Sequence, residues 1–175
     1  GGAFIETSFN VTVTAVNDAP VATIVGSSYG VTEDASDTPI GGVSISDVDA
    51  GANELEVTLS VDDGVVTLVT TTGLTFTGGA NGSATATFTG NVTDLNNGLA
   101  SLRYRPDPDF AGTDTLTLTV DDQGNTGGGA LTDFDTASII VSPVNDDPTI
   151  TSSSSPSAAE NQTAAVTVTS SDPDG

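Results

Sequence analysis

The sequence predicts an all-β protein made of tandem Greek-key β-sandwich modules joined by calcium-binding linkers. Three observations carry that expectation. The pentad Val16-Asn17-Asp18-Ala19-Pro20 returns as Val144-Asn145-Asp146-Asp147-Pro148, a shift of 128 positions from 16 to 144. Between the two copies, short runs of alternating apolar and polar residues, rich in Val, Thr, Ile and Leu, recur between Gly, Asp and Asn turns. The chain also carries 24 acidic residues against two basic ones, Arg103 and Arg105, with no His and no Cys.

Repetition at so long a period marks domains strung along one chain. Residues 1–19 then read as the C-terminal end of a preceding module, 20–146 as one complete module, and 147–175 as the start of a following one. Gly1-Gly2-Ala3-Phe4 matches Gly128-Gly129-Ala130-Leu131, and Val11 and Val13 alternate as Ile139 and Val141 do. A β-like run is therefore expected over 9–15, as over 137–143. At the other end Ala159-Glu160-Asn161 matches Thr32-Glu33-Asp34, and Asp172-Pro173-Asp174 matches Asp47-Val48-Asp49. A chain that begins Gly1-Gly2 and contains no Met reads as an excised internal fragment.

In the complete module, strands are expected near 21–26, 41–46, 55–61, 65–70, 74–77, 84–89, 101–105, 114–120 and 136–143. Leu55, Val57, Leu59 and Val61 share one face; Leu116, Leu118 and Val120 share another, with Thr115, Thr117 and Thr119 outside. Asp62-Asp63-Gly64 has the chemistry of a hairpin turn. The single helical signal is residues 94–99, with Asp94 as the capping residue. Phe4, Phe9, Tyr29, Phe76, Phe88, Tyr104, Phe110 and Phe134 read mainly as core. Asp133 and Asp135 read as solvated loop charges, and Asp114 as the opening of a strand. About nine short strands in one module is the pattern of a Greek-key sandwich.

A formal net charge of −22 repels nucleic acid and anionic lipid, so neither is an expected partner. The same charge attracts divalent cations. Without Cys there is no disulfide staple and no soft-metal chemistry, which leaves a hard metal as the staple for a small core. Low hydrophobicity with high charge also leaves open a chain that is disordered without metal. No 18-residue apolar run and no charged-then-apolar leader occurs, so neither membrane insertion nor a signal peptide is expected in this segment.

Each strand carries the chain from one end of a sandwich to the other, which sorts the acidic residues into two groups. The upper group is Asn17, Asp18, Asp47, Asp49 and Asp121. The lower is Glu33, Asp107, Asp109, Asn145, Asp146 and Asp147, joined by Asp172 and Asp174 of the next module. Either offers enough oxygen for calcium, which takes six to eight donors at about 2.3–2.6 Å, and neither offers nitrogen or sulfur for zinc.

This order of motifs resembles a cadherin repeat, and more specifically the cadherin-like tandem repeats of large bacterial cell-surface adhesins. The resemblance places Glu33 at the family's lone glutamate and Glu160 at its counterpart in the next module. Asp107 and Asp109 stand at the Asp-Arg-Glu element. Asp47 with Asp49, and Asp172 with Asp174, stand at Asp-x-Asp, and Asp121 at the aspartate of Ala-x-Asp-x-x-Gly. The linker departs from the family's Asp-x-Asn-Asp-Asn, since Ala15 and Pro143 occupy the first position. Two calcium ions per joint are therefore expected, not three.

What the resemblance implies is a calcium-rigidified extracellular stalk or spacer of a surface adhesin, partnered by calcium ions and by neighbouring repeats of its own chain. The alternative is a filament or biofilm-matrix module that associates with other copies of itself, for which an uncharged edge such as residues 67–77 would serve. A module binding surface glycans would need exposed aromatics for stacking. Catalysis is not expected: paired carboxylates can hydrolyse glycosides, but these gather at the joints, and no His, Cys or Lys is present to build a nucleophile and base. Threonine rows fit exposed strands better than an ice-binding face. The sequons at Asn10, Asn81, Asn91 and Asn161 are expected by chance in such a composition.

Overall fold

The computed structural model describes residues 2–152, 160–161 and 167–173. The elements in order are β1 (Val21–Ile24), β2 (Ser28–Thr32), β3 (Thr38–Pro39), β4 (Val43–Ser46), β5 (Glu54–Ser60), β6 (Gly64–Leu68), β7 (Thr75–Gly79), β8 (Thr85–Asn91), α1 (Val92–Leu99), β9 (Leu102–Pro106), β10 (Gly112–Asp121), β11 (Thr132–Ser142), β12 (Thr149–Ile150) and β13 (Ser170–Ser171). Each of the nine expected strands occurs with bounds moved by a few residues. The short β2 and β3 were not expected, because Ser28-Tyr29-Gly30-Val31-Thr32 offers one buried aliphatic position and two residues are too few to show a period.

A six-stranded sheet runs β2-β11-β10-β5-β8-β7, antiparallel except where β2 joins β11 in parallel. Across the core lie the β1-β4 pair and the three-stranded sheet β3-β9-β6. The result is an all-β sandwich with one short helix. Alternation decides what faces inward: Leu55, Val57 and Leu59 of β5, Leu116, Leu118 and Val120 of β10, Ala86 and Phe88 of β8 all point to the core, opposite Ile45, Val66, Leu102 and Tyr104. Each such large apolar side chain removed from water contributes about 1.5–3 kcal/mol, which compensates for a surface dominated by one sign of charge.

Asp62-Asp63-Gly64 is not a hairpin turn. It joins β5 in one sheet to β6 in the other. The buried Asp114 carboxylate accepts from the Asp62 and Asp63 N–H groups at 2.8 and 3.2 Å and pulls the chain out of the plane of β5. A Cβ at Gly64 would lie 2.6 Å from the Arg105 carbonyl and the Tyr104 ring, so the crossing needs a glycine there. The helix begins earlier than expected and is capped by Asn91, whose side chain accepts from Asp94 N–H at 3.0 Å; Asp94 sits in the first turn.

Asp133 and Asp135 are not loop charges. They stand on β11 and accept from the backbone of β1. Phe88 and Tyr104 are fully buried, and Tyr29, Phe76 and Phe110 are partly buried, whereas Phe4, Phe9 and Phe134 are exposed. Residues 9–15 form no strand. The matching run 137–143 is held by β10 and β2 on either side, and no described strand flanks 9–15.

Past the second pentad, β12 and β13 pair antiparallel with Thr149 opposite Ser171 and Ile150 opposite Ser170. The alignment of the two pentads and of the two Asp-x-Asp motifs carries these four residues onto Val21, Ser46, Ala22 and Ile45, which pair in that same register between β1 and β4. Asn161 and Asp34, matched in the same way, both adopt a left-handed backbone, with φ of 69° and 55°.

Candidate metal centre

At one end of the sandwich two loops and the second pentad converge. β2 runs out at Thr32, and the next residue, Glu33, is only 4% exposed. Its backbone N–H donates to the Ser142 carbonyl at 2.9 Å, and its carboxylate accepts the Val144 N–H. Glu33 thus ties the start of the second pentad to the end of β2. The chain then turns, with Ala35 N–H on the Thr32 carbonyl at 3.3 Å, and the left-handed Asp34 points its exposed carboxylate outward.

The second loop is Asp107-Pro108-Asp109-Phe110, closed by Phe110 N–H on the Asp107 carbonyl at 3.2 Å and anchored by Asp107 N–H on the Asp63 carbonyl at 3.0 Å. Proline fixes the turn and Asp109 takes a left-handed φ of 58°, a conformation that short polar side chains tolerate. Asp146 of the pentad is half-buried. Carboxylate oxygens of Asp34, Asp109 and Asp146 all lie within 4.8 Å of one another. Two oxygens bound to one calcium ion at about 2.3–2.6 Å each can be at most about 5 Å apart, so the trio fits a single hard cation. Three carboxylates that close, without a cation, would repel.

Asp34 is not among the ligands the sequence predicts, since the family's motif falls on its neighbour Glu33. The signal was present in the match of Asp34 to Asn161, two polar residues suited to a left-handed turn. Asp107 lies beside Asp34 on the wall of one cleft, about 340 Å³, that also takes in Arg105 and Pro108. Asn145 and Asp147 are exposed, and the Asn145 amide donates to the Asp146 carbonyl at 3.0 Å. Glu160 is exposed, and Asp172 follows β13 directly, also exposed. Asp174 lies outside the described residues.

The other end gathers the upper group around the first pentad. Asp18 N–H donates to the Asp49 carboxylate at 3.1 Å, and the Asp47 carboxylate accepts from Asp49 and Ala50 N–H at 3.0 and 3.1 Å. Burial, together with the neighbouring Asp49 carboxylate, pushes the Asp47 carboxyl above its ordinary range, although those two N–H bonds pull the other way. Asn17 reaches past Asp121 to Asp122: its amide donates to the Asp122 carboxylate at 2.5 Å and to the Gly129 carbonyl at 3.1 Å. The Asp121 carboxylate accepts from Gln123 N–H at 2.6 Å.

Asp122, 2% exposed, stands at this end beside Asp121 but is not among the expected ligands. The alternation of β10 gives the signal, since Leu116, Leu118, Val120 and Asp122 fall on one inward row. Burial pushes its carboxyl up, but N–H groups of Leu131 and Gly124, both at 2.8 Å, and the Asn17 amide outweigh that and hold it below the ordinary range. The loop that follows β10 fits close to the first pentad: a Cβ at Gly128 would stand 2.9 Å from that of Asn17.

The described residues thus hold two acidic ends, one at each pentad, and the lower end brings three carboxylates within reach of one metal ion. No helix among them is long and apolar enough to cross a membrane. No protein-family model matches the chain, and no curated protein sequence matches it. Among solved structures the chain is similar to AggA, the major subunit of aggregative adherence fimbriae type I from Escherichia coli, at 20% identity and a TM-score of 0.32, covering 77% of this chain and 100% of that one.

Proposed function

We propose that this chain is part of an extracellular stalk of repeated sandwiches whose joints bind calcium and stiffen, a mechanical role in holding an adhesive protein away from a surface. The observation that carries the proposal is the meeting of Asp34, Asp109 and Asp146, which brings the end of β2, the turn after β9 and the pentad to one point. An ion there would bond the body of one module to the segment leading into the next. The register of β12 with β13, matched to that of β1 with β4, supports reading residues past the pentad as the opening of another such module.

Physical chemistry favours calcium over its rivals. The donors brought together are carboxylate oxygens on three separate segments, which leave room for the six to eight bonds that calcium takes; magnesium demands a tighter octahedron and keeps its waters. Free of metal, the joint gathers like charges and the segments on either side repel. Calcium offsets the repulsion and fixes their relative placement. Extracellular sites of this kind bind at about 10⁻⁴–10⁻³ M, so the joint would be stiff outside a cell and slack within it. The resemblance to secreted bacterial adhesins agrees with that distribution.

The test is calorimetric titration of calcium into the chain, with melting curves in calcium and in EDTA, for wild type and for Asp34→Asn with Asp109→Asn. Binding in the millimolar range or tighter, a calcium-dependent rise in Tm, and loss of both in the double variant are expected. Wild-type melting that calcium leaves unchanged up to about 10 mM, well above that affinity range, would make these carboxylates solvated turn residues.

A further inference from the structure

Side chains close the edges of β1, β4 and β6. On β1, the N–H groups of Ala22 and Ile24 donate to Asp133 and Asp135 at 2.9 and 2.7 Å. On β4, the Asn96 amide both accepts from Ile45 N–H and donates to its carbonyl, each at 2.9 Å. Asn81 does the same for Leu68 at the end of β6, at 2.8 and 2.9 Å, and Gly82 and Ser83 bond the backbone of Val66. β7 is an outer strand of the six-stranded sheet. Among the described residues, no side chain plugs its outer backbone.

Charge singles out the same place. No charged residue occurs between Asp63 and Asp94, a stretch that contains β6, β7 and β8. The opposite edge of that sheet, β2, is also open but runs directly into Glu33 and Asp34, with Asp37 beyond. An uncharged, unplugged edge is where another strand can add.

We propose that β7 is a self-pairing edge, on which a second copy of this chain adds its own β7 antiparallel, joining two six-stranded sheets side by side about a two-fold axis. The occupant follows from electrostatics. Two chains of charge −22 repel wherever their carboxylates meet, and pairing β7 with β7 apposes strands that carry no charge of their own, the carboxylate that touches β7 being that of Glu56, two strands inward, which accepts from the Thr77 hydroxyl at 3.2 Å. The exposed Thr75 then supplies a cross-strand partner of a favourable kind, ahead of the register shift between Phe76 and Gly78. Pairing there runs across the line between the two pentad ends, so it links neighbouring stalks and leaves both acidic ends free.

The rival contact is on β9. Arg103 and Arg105 form no ion pair among the described residues, Arg103 donating to the Asp37 carbonyl at 3.0 Å, and they could receive carboxylates of another copy. Salt separates the two contacts. Pairing through β7 breaks no ion pair and gains as repulsion is screened, whereas docking on arginine weakens.

The experiment is sedimentation equilibrium of the chain in EDTA, which keeps the joint chemistry out of the measurement. Dimers are expected, with an association constant rising at least about tenfold as NaCl goes from about 0.05 to 1 M, where the Debye length falls to about 3 Å. Thr77→Lys and Thr75→Lys, each checked for an unchanged melting curve, should lower it at least about tenfold by setting like charges across the pair. The chain has no native Cys, so Thr77→Cys should form oxidised dimers while Ser28→Cys on β2 should not. A chain that stays monomeric to about 1 mM, the weak end of specific association, association that falls with salt, or equal cross-linking through Ser28→Cys would each overturn the proposal.

Discussion

Replacing Asp114 by alanine should be among the most damaging single changes in this protein. Its side chain is 1% exposed, and its carboxylate accepts from Asp62 N–H (2.8 Å), Asp63 N–H (3.2 Å), Thr115 N–H (2.6 Å) and the Tyr104 hydroxyl (2.8 Å). A donor left buried without an acceptor costs about 1–3 kcal/mol. Truncation strands the two N–H groups of the crossing from β5 to β6, whereas the Tyr104 hydroxyl keeps the Asp63 carbonyl at 3.1 Å as an acceptor. Against this stands the relief of burying a carboxylate without a cation beside it, so the losses do not add. A net cost of about 2–4 kcal/mol follows from two stranded donors less that relief. In a domain of this size each kcal/mol lowers Tm by about 2–4 °C, so a fall of about 5–15 °C is expected. Asp114→Asn keeps one acceptor oxygen but turns an NH₂ toward the donors, and should fall between. Urea unfolding at pH 7 in EDTA, followed by circular dichroism, measures both. A loss below about 1 kcal/mol for Asp114→Ala would mean that desolvation of the carboxylate cancels its bonds, and that the crossing is fixed by Gly64 and the core alone.

Two further changes probe the end at the first pentad, and a third the edge of β4. Asp47→Asn should raise Tm in EDTA and shrink any calcium-induced rise: the amide oxygen keeps the Asp49 and Ala50 N–H bonds while the charge facing Asp49 disappears. The sign follows from the raised carboxyl, whose contribution is favourable at acid pH and lost as pH rises through the folded-state value. Asp122 has the opposite sign. Its lowered carboxyl stabilises the fold above the unfolded-state value of about 3.9 and loses that contribution as pH falls through the lower folded-state value. Asp122→Ala should therefore lower Tm at neutral pH and flatten its decline below about pH 4, as thermal scans across pH would record. Asn96→Ala removes amide bonds to both backbone groups of Ile45 and to the Val92 carbonyl. It should cost about 1–3 kcal/mol and raise hydrogen exchange at Ile45 first.

How much of this was readable from sequence depends on the kind of signal. Strands with clean alternation, such as β5 and β10, declare both their existence and their inward face, because a two-residue period has no other physical source in so β-branched a chain. β2 and β3 did not, since their places are set by the parallel pairing of β2 with β11 and by two residues of β3 against β9. The division of the acidic residues between two ends followed from counting strand traverses, which survives errors of a residue or two. The particular carboxylates that meet did not follow. Asp34 joins Asp109 and Asp146 through a left-handed turn, and Asp122 turns inward where Asp121 does not. Both depend on one backbone dihedral or one step of alternation. Side-chain plugs such as Asp133 on Ala22 N–H are invisible from sequence because they link residues far apart across the two layers.

The most direct measurement of the joint is small-angle X-ray scattering of the chain in EDTA and in about 5 mM calcium, above the expected affinity range, for wild type and Asp146→Ala. Calcium-stiffened joints predict that the ion narrows the spread of shapes and extends the wild-type particle, and that Asp146→Ala abolishes the change while keeping the circular dichroism of the sandwich. Scattering curves that superpose with and without calcium in the wild type would contradict the reading of the pentads as metal-locked joints.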